Sequence, residues 1–394
     1  MTPVPAVDRR ARLAVFAGFA VQGLTFASLV TRLPAIKDRF DLSDVDILLL
    51  VLAVAGLSAI GSMVAGQAAA RWGSAVTLRA ALAGSSVAVL LVGPAGSFGT
   101  VVAASAAYGF FVGGVDASLN MQGVAVQDRY GRSIMTGFHA MWSLAAACGA
   151  GYAAVAAGLD WSLTASLAVV CATGLAINAT LCRGLLPIDL DPLEEATVDA
   201  GTAGPPAWPV LLIAVPTFVM WLGDGATSTW SGIYLEDGLS ASAATAPVAY
   251  GAYQLLVFLT RLVGDRLVQR WGPAPLLRAA GWVAVCGLAL VVAAPGLPVV
   301  VAGFALLGGG LSLVPPLSMV AAAHVGEGGD QAVARVNVAN YLGFIVAAVG
   351  IAAVSELASP RAMFVVPLLL APVLPLMARQ FTPRHAPSSR ALTA

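Results

Sequence analysis

Residues 71–79 read RWGSAVTLR, and residues 270–278 read RWGPAPLLR. Six of the nine positions are identical at an offset of 199 residues, about half of the 394-residue chain. Each copy follows the second of six long apolar segments. The repeat therefore predicts two structurally equivalent halves, joined near the middle of the chain.

The composition of the chain indicates that these halves lie in a membrane. Hydrophobic residues make up 59% of the sequence and charged residues only 10%, with a mean hydropathy of +0.88. Soluble domains carry about 25% charged residues. The net charge of zero gives no support to a nucleic-acid partner. The four cysteines form no CxxC pair and no Cys/His cluster, so we expect them to pack in the core and expect no metal or other cofactor.

Twelve segments are long enough to cross a bilayer, because a hydrocarbon core about 30 Å thick needs roughly 20 apolar residues in a helix. Barrel strands are excluded, since they are about ten residues long and alternate in polarity. The predicted fold is an all-α integral membrane protein with twelve transmembrane helices in two pseudo-symmetric six-helix halves. The predicted segments are 12–33, 45–69, 76–94, 100–126, 134–157, 162–186, 207–235, 245–267, 275–295, 298–322, 333–357 and 361–378.

The segments define an N-terminal half (1–186), a linker (187–206) and a C-terminal half (207–394). The linker sequence PIDLDPLEEATVDAGTAGPP is acidic, rich in Pro and Gly, and contains no apolar run, which is typical of a cytoplasmic linker. Duplicated six-helix halves related by an axis along the membrane normal are an architecture of secondary transporters.

Basic residues predict the orientation of the chain. Sixteen of the twenty Lys and Arg residues fall in segments on the same side as the N-terminus, and Arg261 is counted among them. The four on the other side are Arg32, Lys37, Arg39 and Arg361. Since cytoplasmic segments are enriched in basic residues, we expect a multi-pass protein of the bacterial inner membrane with both termini in the cytoplasm.

The chain resembles the major facilitator superfamily over all twelve predicted helices. The loop motif of that superfamily, approximately G-x-x-x-D-R-x-G-R, appears as GDRLVQRWG (264–272), with Asp265 and Arg266 in a shifted spacing. The first-half copy, GQAAARWG (66–73), has Ala70 in place of the acid. In the superfamily this acid helps to lock the outward-facing state, and with Ala70 in its place the resemblance does not extend that lock to the first half. The candidate loop-motif residues are Arg71, Gly73, Asp265, Arg266 and Arg270.

Three stretches also resemble an uncharacterised bacterial branch related to the fucose–proton symporters. They are TRLPAIKDRFDLSD (31–44), GRSIMTGFHAMWS (131–143) and GDGATSTWSGIYL (223–235). The third departs from the pattern of the branch, with Asp224 where Glu is expected and Thr229 where Asp is expected. The departure implies that part of the polar site, and the substrate with it, has changed.

Asp116 is the leading candidate for proton coupling. It is the only formally charged side chain between Thr100 and Val126, and a charge at the bilayer centre costs roughly 2.5–3.5 kcal/mol. A carboxyl group there can take up a proton on one side of the membrane and release it on the other. Asn120 follows at i+4 on the same helical face, and D-A-S-L-N (116–120) resembles the acid–asparagine pair of the fucose symporters. The alternative is a structural acid bonded to a neighbouring helix.

Asp224 and His139 are the further candidates for proton coupling. Gly223 and Gly225 flank Asp224, so we expect the helix to be unwound or closely approached there. The superfamily resemblance implies that its helix faces the cavity, whereas an outer-mouth position exposed to solvent is the alternative. The unperturbed pKa of histidine, near 6.5, suits proton exchange, although a packing role is the alternative for His139.

Uncharged polar and aromatic residues on the predicted helices are candidate solute ligands, or they join helices through hydrogen bonds worth about 0.6 kcal/mol. These candidates are Gln22, Thr25, Asn120, Trp142, Trp230, Gln254, Asn337, Asn340 and Tyr341. Trp230 fits either a stacked sugar ring or the aromatic belt of the membrane. Pro315 and Pro316, preceded by Gly308–Gly310, predict a kinked or loosened tenth helix.

The sequence contains no HExxH, GxSxG or P-loop motif, which argues against an enzyme and against an ATP-driven pump. A transporter-derived sensor is disfavoured by the short tails, and a channel by the two-halved repeat. Proton-driven export of a drug or secondary metabolite remains open, but the fifth helix, AAACGAGYAAVAAG (145–158), lacks the Gly-Pro motif of such antiporters. We therefore expect a monomeric, proton-coupled symporter for a small polar solute, with sugar-like solutes among the candidates. An Asp/Asn pair also suits sodium, so sodium coupling is the alternative.

Overall fold

The computed structural model describes residues 5–187, 207–240, 247–326, 328–357 and 360–382. Within these ranges every regular element is a helix. Residues 188–206, which form nearly all of the expected linker, lie outside the described residues.

The helices of the first half are named here α1 to α7, and together they are called the N-terminal spans. They are α1 (Ala6–Val30), α2 (Leu33–Phe40), α3 (Asp44–Trp72), α4 (Ser74–Val92), α5 (Phe98–Tyr130), α6 (Met135–Gly158) and α7 (Leu163–Thr180). A short 3-10 helix, Leu181–Gly184, extends α7. The short helix α2, between the first two long helices, was not expected from the sequence.

The helices of the second half are named α8 to α15 and are called the C-terminal spans. They are α8 (Ala207–Leu239), α9 (Pro247–Trp271), α10 (Pro273–Ala293), α11 (Leu297–Leu311), α12 (Val314–Ala323), α13 (Gly329–Leu357), α14 (Val365–Leu370) and α15 (Val373–Met377). Two 3-10 helices, Pro360–Phe364 and Ala378–Phe381, flank α14 and α15. The twelfth expected span is therefore a chain of short helical pieces.

Eleven described segments are long and apolar enough to cross a membrane. The expected count was twelve, and α9 is the segment that falls short. It has 25 residues, but its sequence carries Arg261, Asp265, Arg266 and Arg270, which lower its hydropathy below that of the other long helices. The chain is accordingly an all-α, multi-pass membrane protein in which the long helix α9 is unusually polar.

The repeated RWG sequence forms the same junction in both halves. Trp72 ends α3 and Trp271 ends α9, and the following Gly73 and Gly272 have φ values of +82° and +76°. Glycine is the default residue in this region of backbone space because it has no Cβ. Each glycine leads directly into the next long helix, and this requirement explains why glycine stands at this position in both copies of the repeat.

The double proline interrupts the tenth span, as expected. The helix α11 ends at Leu311, two residues form a turn, and α12 begins at Val314. In a continuous helix the Ser312 carbonyl would accept a hydrogen bond from residue 316, but Pro316 has no N–H. The proline therefore leaves the Ser312 carbonyl oxygen available to another donor.

Close helix packing depends on glycines at corresponding places in the two groups of spans. A Cβ on Gly113 of α5 would lie 1.9 Å from the backbone oxygen of Ser58 in α3. A Cβ on Gly308 of α11 would lie 2.2 Å from the backbone oxygen of Tyr253 in α9. Small residues let membrane helices approach closely. The helix α5 therefore packs on α3 in the same way as α11 packs on α9.

The two groups of spans meet where α3 packs on α13 and α6 packs on α9. In the first contact, Ser62 Oγ donates a hydrogen bond to the Ala334 backbone oxygen at 3.1 Å. We call the end of the bundle where α1 and α13 begin the terminal face.

Candidate functional site

Asp116 lies near the middle of α5, and its carboxylate is held by both groups of spans. Gln22 Nε2 in α1 donates to Asp116 Oδ1 at 3.2 Å, and the Tyr341 hydroxyl in α13 donates to Oδ2 at 3.1 Å. Among the described residues, no cationic nitrogen lies within 4.0 Å of this carboxylate. The side chain is partly exposed. Asp116 is thus a carboxylate held by neutral donors, with the Asn337 side chain also beside it and no close counter-ion among the described residues.

Asn120 and His139 extend this cluster along α5 and α6. Asn120 Nδ2 donates to the Asp116 backbone oxygen at 2.8 Å, so the amide does not bond the carboxylate itself. A ring nitrogen of His139 lies 3.2 Å from Asn120 Oδ1. The Ser143 hydroxyl in turn donates to the His139 backbone oxygen at 3.3 Å. The sequence-predicted residues Asp116, Asn120 and His139 therefore form one connected network.

Gln22 and Thr25 occupy the other side of Asp116, on α1. The Thr25 hydroxyl donates to the Gln22 backbone oxygen at 3.1 Å, and the Tyr108 hydroxyl donates to Thr25 Oγ1 at 3.3 Å. Thr25 is fully buried, so it supports the cluster from behind. Gln22 Oε1 is enclosed and has no hydrogen-bond partner in the described part of the chain. It is an acceptor that remains available beside the Asp116 carboxylate.

Asn337 and Asn340 link α13 to α3 next to this cluster. Asn337 Nδ2 donates to Ser62 Oγ at 3.2 Å, and Asn340 Nδ2 donates to Asn337 Oδ1. Asn337 is fully buried, and Asn340 is 5% exposed. The Asn337 amide joins the two groups of spans and Asn340 supports it, while Asn340 Oδ1 lacks a partner within the described ranges.

Asp224 lies near the middle of α8, which is continuous through both flanking glycines. The expectation of an unwound helix is wrong, and close approach is the reason for the glycine: a Cβ on Gly225 would lie 2.8 Å from the Ala347 Cβ of α13. The Tyr253 hydroxyl in α9 donates to Asp224 Oδ1 at 2.6 Å. Among the described residues, this carboxylate is therefore hydrogen-bonded from within the C-terminal spans alone.

Gln254 and the tyrosines of α9 lie beside Asp224. Gln254 Nε2 donates to the Tyr250 hydroxyl at 2.8 Å, and the rings of Tyr250 and Tyr253 stack with centroids 6.1 Å apart. Tyr250 and Gln254 are partly exposed. Together with Asp224 they form a second polar cluster, on the opposite group of spans from Asp116.

Arg261 is a buried basic residue that the sequence analysis did not place at membrane depth. It was assigned to a cytoplasmic segment, but it lies inside α9, about 15 Å from Trp271 at the rise of 1.5 Å per residue, and is only 6% exposed. Arg261 Nη1 donates to Ser143 Oγ at 2.9 Å, and Nε donates to the freed Ser312 carbonyl oxygen at 3.2 Å. Following the helical register back from Trp271 would have placed it at this depth.

Among the described residues, neither Trp142 nor Trp230 forms a hydrogen bond with Asp116 or Asp224. The Trp142 ring contacts Phe26, with centroids 5.7 Å apart. Trp230 is partly exposed on α8, and its Nε1 is an enclosed donor without a described partner. Neither residue has a contact that assigns it a ligand.

The loop-motif residues divide into one inter-span contact and several surface positions. Asp265 Oδ1 accepts from Ser133 Oγ at 2.9 Å and from Thr136 N at 3.0 Å, and Oδ2 accepts from Gly137 N at 2.9 Å. The carboxylate of α9 thereby caps the first turn of α6, where the helix dipole favours an anion. Arg266 is exposed, and Arg71 and Arg270 lie over the adjacent Trp72 and Trp271 rings.

A second contact joins the two groups at the terminal face. His324 Nε2, just beyond α12, lies 3.1 Å from Asp128 Oδ2 near the end of α5. His324 Nδ1 lies 2.7 Å from the Val320 backbone oxygen, which can only accept. The Asp128 carboxylate raises the pKa of His324 above its ordinary value. Both ring nitrogens therefore face acceptors, which the protonated ring satisfies best.

No group of three His, Cys, Asp or Glu residues in the described ranges has the arrangement of a metal site. The polar residues near the middle of the bundle instead form two clusters, one around Asp116 and one around Asp224. Arg261 lies between the two groups of spans, since it bonds Ser143 of α6 and Ser312 of the α11–α12 turn. The arrangement provides ionisable and hydrogen-bonding groups at membrane depth, where polar groups mark transport pathways.

Comparisons with known proteins agree with this architecture. The chain is 29% identical over 369 residues to the "Uncharacterized transporter y4wD" of Sinorhizobium fredii, which covers 92% of this chain and 96% of that protein. The structure of the human organic anion transporter MFSD10 superposes with a TM-score of 0.77 and 16% identity over 95% of this chain and 100% of that one. The structure of FucP in its outward conformation superposes with a TM-score of 0.73 and 14% identity, over 94% of this chain and 98% of that one. FucP is the E. coli fucose:proton symporter.

These likenesses to solved structures show the fold. The family described as Major Facilitator Superfamily matches residues 15–328 and 213–394, so the two matches together extend over almost the entire sequence. The resemblance to the superfamily inferred from the loop motif is thereby confirmed, and the family is one of transporters and not of enzymes. The chain belongs to the major facilitator superfamily and is a membrane transporter.

Proposed function

We propose that the protein is a proton-coupled secondary transporter that moves a small polar solute across the bacterial inner membrane by alternating access. One observation carries the proposal. The Asp116 carboxylate, near the middle of a membrane helix, is bonded by Gln22 from its own group of spans and by Tyr341 from the other group. The state of this carboxylate is therefore tied to the relative position of the two groups.

Coupling follows from the loss of one bond when the groups move. If the N-terminal spans (1–186) rock against the C-terminal spans (207–394), the Tyr341 hydroxyl leaves Asp116 while Gln22 remains. The charged carboxylate then has one donor fewer, so its affinity for a proton differs between the two arrangements. A difference of this kind is what a proton-coupled carrier requires, because a ligand shifts an equilibrium only through differential affinity.

The terminal face is the cytoplasmic face in this proposal, because it carries most of the basic residues. Asp265 and His324 make contacts between the two groups at this face. The arrangement is then closed toward the cytoplasm, which is consistent with the likeness to FucP in its outward conformation. The solute would enter from the opposite side, between Asp116 and Asp224, where Gln254 and Asn340 offer hydrogen bonds.

The test is solute-evoked proton movement in proteoliposomes, measured with an entrapped pH indicator against a panel of small polar solutes. We expect one solute to drive protons in the wild type, and Asp116→Asn to abolish that signal. Asp160→Asn is the matched control, because Asp160 is an exposed acid at the end of α6. Its vesicles are expected to behave like the wild type. Equal proton movement in Asp116→Asn and wild type would refute the assignment.

A further inference from the structure

We propose that Arg261 binds an anionic group of the transported solute, so that the substrates are small organic anions such as carboxylates. The inference rests on the proposed transport function for the entry of a solute between the two clusters. It deepens that proposal by naming the chemical class of the solute.

The charge of Arg261 is not neutralised by direct contact with an acid. Arginine stays protonated in proteins, and a charge at membrane depth is expensive unless it is paired. The described residues provide no carboxylate oxygen within 4.0 Å of its guanidinium. Asp224 is near enough to interact electrostatically with Arg261, yet its carboxylate is bonded by Tyr253. A buried cation without a bonded anion is therefore left in the middle of the bundle.

The guanidinium also has an unused donor nitrogen. Nε and Nη1 are bonded to Ser312 and Ser143, and both of these acceptors are neutral. Nη2 makes no hydrogen bond to the described residues, and it is not among the fully enclosed polar atoms without a partner. The two neutral bonds fix the plane of the guanidinium, and a planar fork with a free edge suits a carboxylate.

The position of Arg261 gives a bound anion a role in the transport cycle. Ser143 belongs to α6 of the N-terminal spans, whereas Ser312 lies in the turn between α11 and α12 of the C-terminal spans. An anion on Arg261 therefore lies at the boundary between the two groups. Neutral donors such as amides and hydroxyls cannot supply the full positive charge that an anion needs in this environment.

The experiment measures thermal unfolding of the purified full-length protein with matched pairs of probes at constant ionic strength. The pairs are D-glucuronate and D-glucose, lactate and lactamide, succinate and succinamide, and benzoate and benzamide. We expect at least one anion to raise the Tm in a saturable way while its neutral partner does not. Sodium chloride at equal concentration controls for salt.

Variants of Arg261 identify the site. Arg261→Gln is expected to weaken the apparent affinity for that anion about 10–100-fold, the equivalent of one strong charge-assisted hydrogen bond. Arg261→Lys keeps the charge opposite Asp224 but loses the fork, so about a 10-fold loss is expected and the fold is preserved. Arg278→Gln removes an exposed arginine of α10 and is expected to bind like the wild type.

The proposal is overturned if no anion of the panel stabilises the protein, if neutral partners stabilise it equally, or if Arg261→Gln and Arg261→Lys keep wild-type affinity. Asp116→Asn separates this result from the transport proposal. We expect it to lose proton movement and keep the anion-dependent Tm shift. A neutral solute that drives Asp116-dependent proton movement would preserve the proposed function and refute the role of Arg261.

Discussion

Asp116 and Asp224 lie near the middle of α5 and α8, and both are partly exposed, but their hydrogen bonds are organised differently. The Asp116 carboxylate receives one bond from each group of spans, through Gln22 and Tyr341. The Asp224 carboxylate receives its bond from Tyr253 of the same group and has Arg261 as a nearby charge. Motion of one group against the other changes the surroundings of Asp116 and leaves the Tyr253 bond in place. In the proposed mechanism, Asp116 is therefore the acid that responds to the relative position of the two groups, whereas the surroundings of Asp224 stay largely within one group.

The largest expected effect comes from exchanging each acid for its amide. Asp116→Asn should lower solute-driven proton movement at least about 100-fold, because the proton carrier is lost. Asp224→Asn should keep a proton signal for each solute molecule transported, because Asp224 is not the proton carrier in the proposed mechanism. The ratio of proton to solute flux in proteoliposomes measures the difference. If both variants lower that ratio equally, the two acids share one role and the comparison is wrong.

Asp265→Asn tests the contact that closes the terminal face. The carboxylate caps three donors at the start of α6, and replacing it by an amide should cost about 2 kcal/mol. The population of the closed arrangement would then fall about 30-fold relative to that of the open one. Spin-label distances between positions 132 and 278, in a chain whose four cysteines are serines, report the shift. Asp160→Asn is the control, and an unchanged distance distribution in Asp265→Asn would contradict the prediction.

Tyr341→Phe and Tyr253→Phe form a matched pair, because each removes one hydroxyl bonded to a carboxylate. Loss of the Tyr341 bond should shift the same distance distribution toward the open arrangement about 10-fold, since a hydrogen bond to a charged group contributes about 1.5 kcal/mol. Loss of the Tyr253 bond should lower the Tm without moving the distribution. A shift of the same size in both variants would show that the bonds of Asp224 also depend on conformation.

The smallest expected effect is a pH dependence at His324. Asp128 raises the pKa of this histidine above its ordinary value near 6.5, so the ion pair stabilises the closed face fully below pH 6.5. That contribution is lost as the pH rises through the raised pKa. Because both side chains are partly exposed, it is worth about 0.5 kcal/mol, or a two- to threefold change in the distance populations. His324→Gln should remove this pH dependence, whereas persistence of the full dependence would assign it to another group.

The sequence predicts the helical class, the repeated junction and Asp116, because each depends on local chemistry. A lone charge in an apolar run is visible without a structure, and the glycine of RWG is required by its own backbone conformation. Gln22 and Tyr341 were recognised as polar helix residues, but their common partner was not. Helix rotation and helix pairing decide that contact, and the sequence periodicity of a uniformly apolar segment specifies neither.

For Arg261 the sequence-based prediction of its location failed. Its proximity in sequence to Arg266 and Arg270 made it look like a loop charge, although these residues lie more than a helical turn apart. The partner of its Nε also could not be inferred by proximity, since the Ser312 carbonyl is freed by Pro316 in another span. The proline pair was recognised as a helix breaker. A second consequence is that the Ser312 carbonyl is free to accept a bond from another helix. That bond, from Arg261, becomes visible only once α9 and the α11–α12 turn are placed together.

The polarity of α9 has a consequence for biosynthesis. Arginine near the centre of a nascent helix adds roughly 2.5–3.5 kcal/mol to its apparent insertion free energy, and Arg261 is accompanied by Asp265, Arg266 and Arg270. This segment is therefore poorly suited to partition into lipid by itself as it leaves the ribosome. We expect it to remain at the insertion machinery until α10 and α11 have emerged and can shield its polar side. The helices α9, α10 and α11 would then leave the insertion machinery and enter the lipid together rather than one at a time.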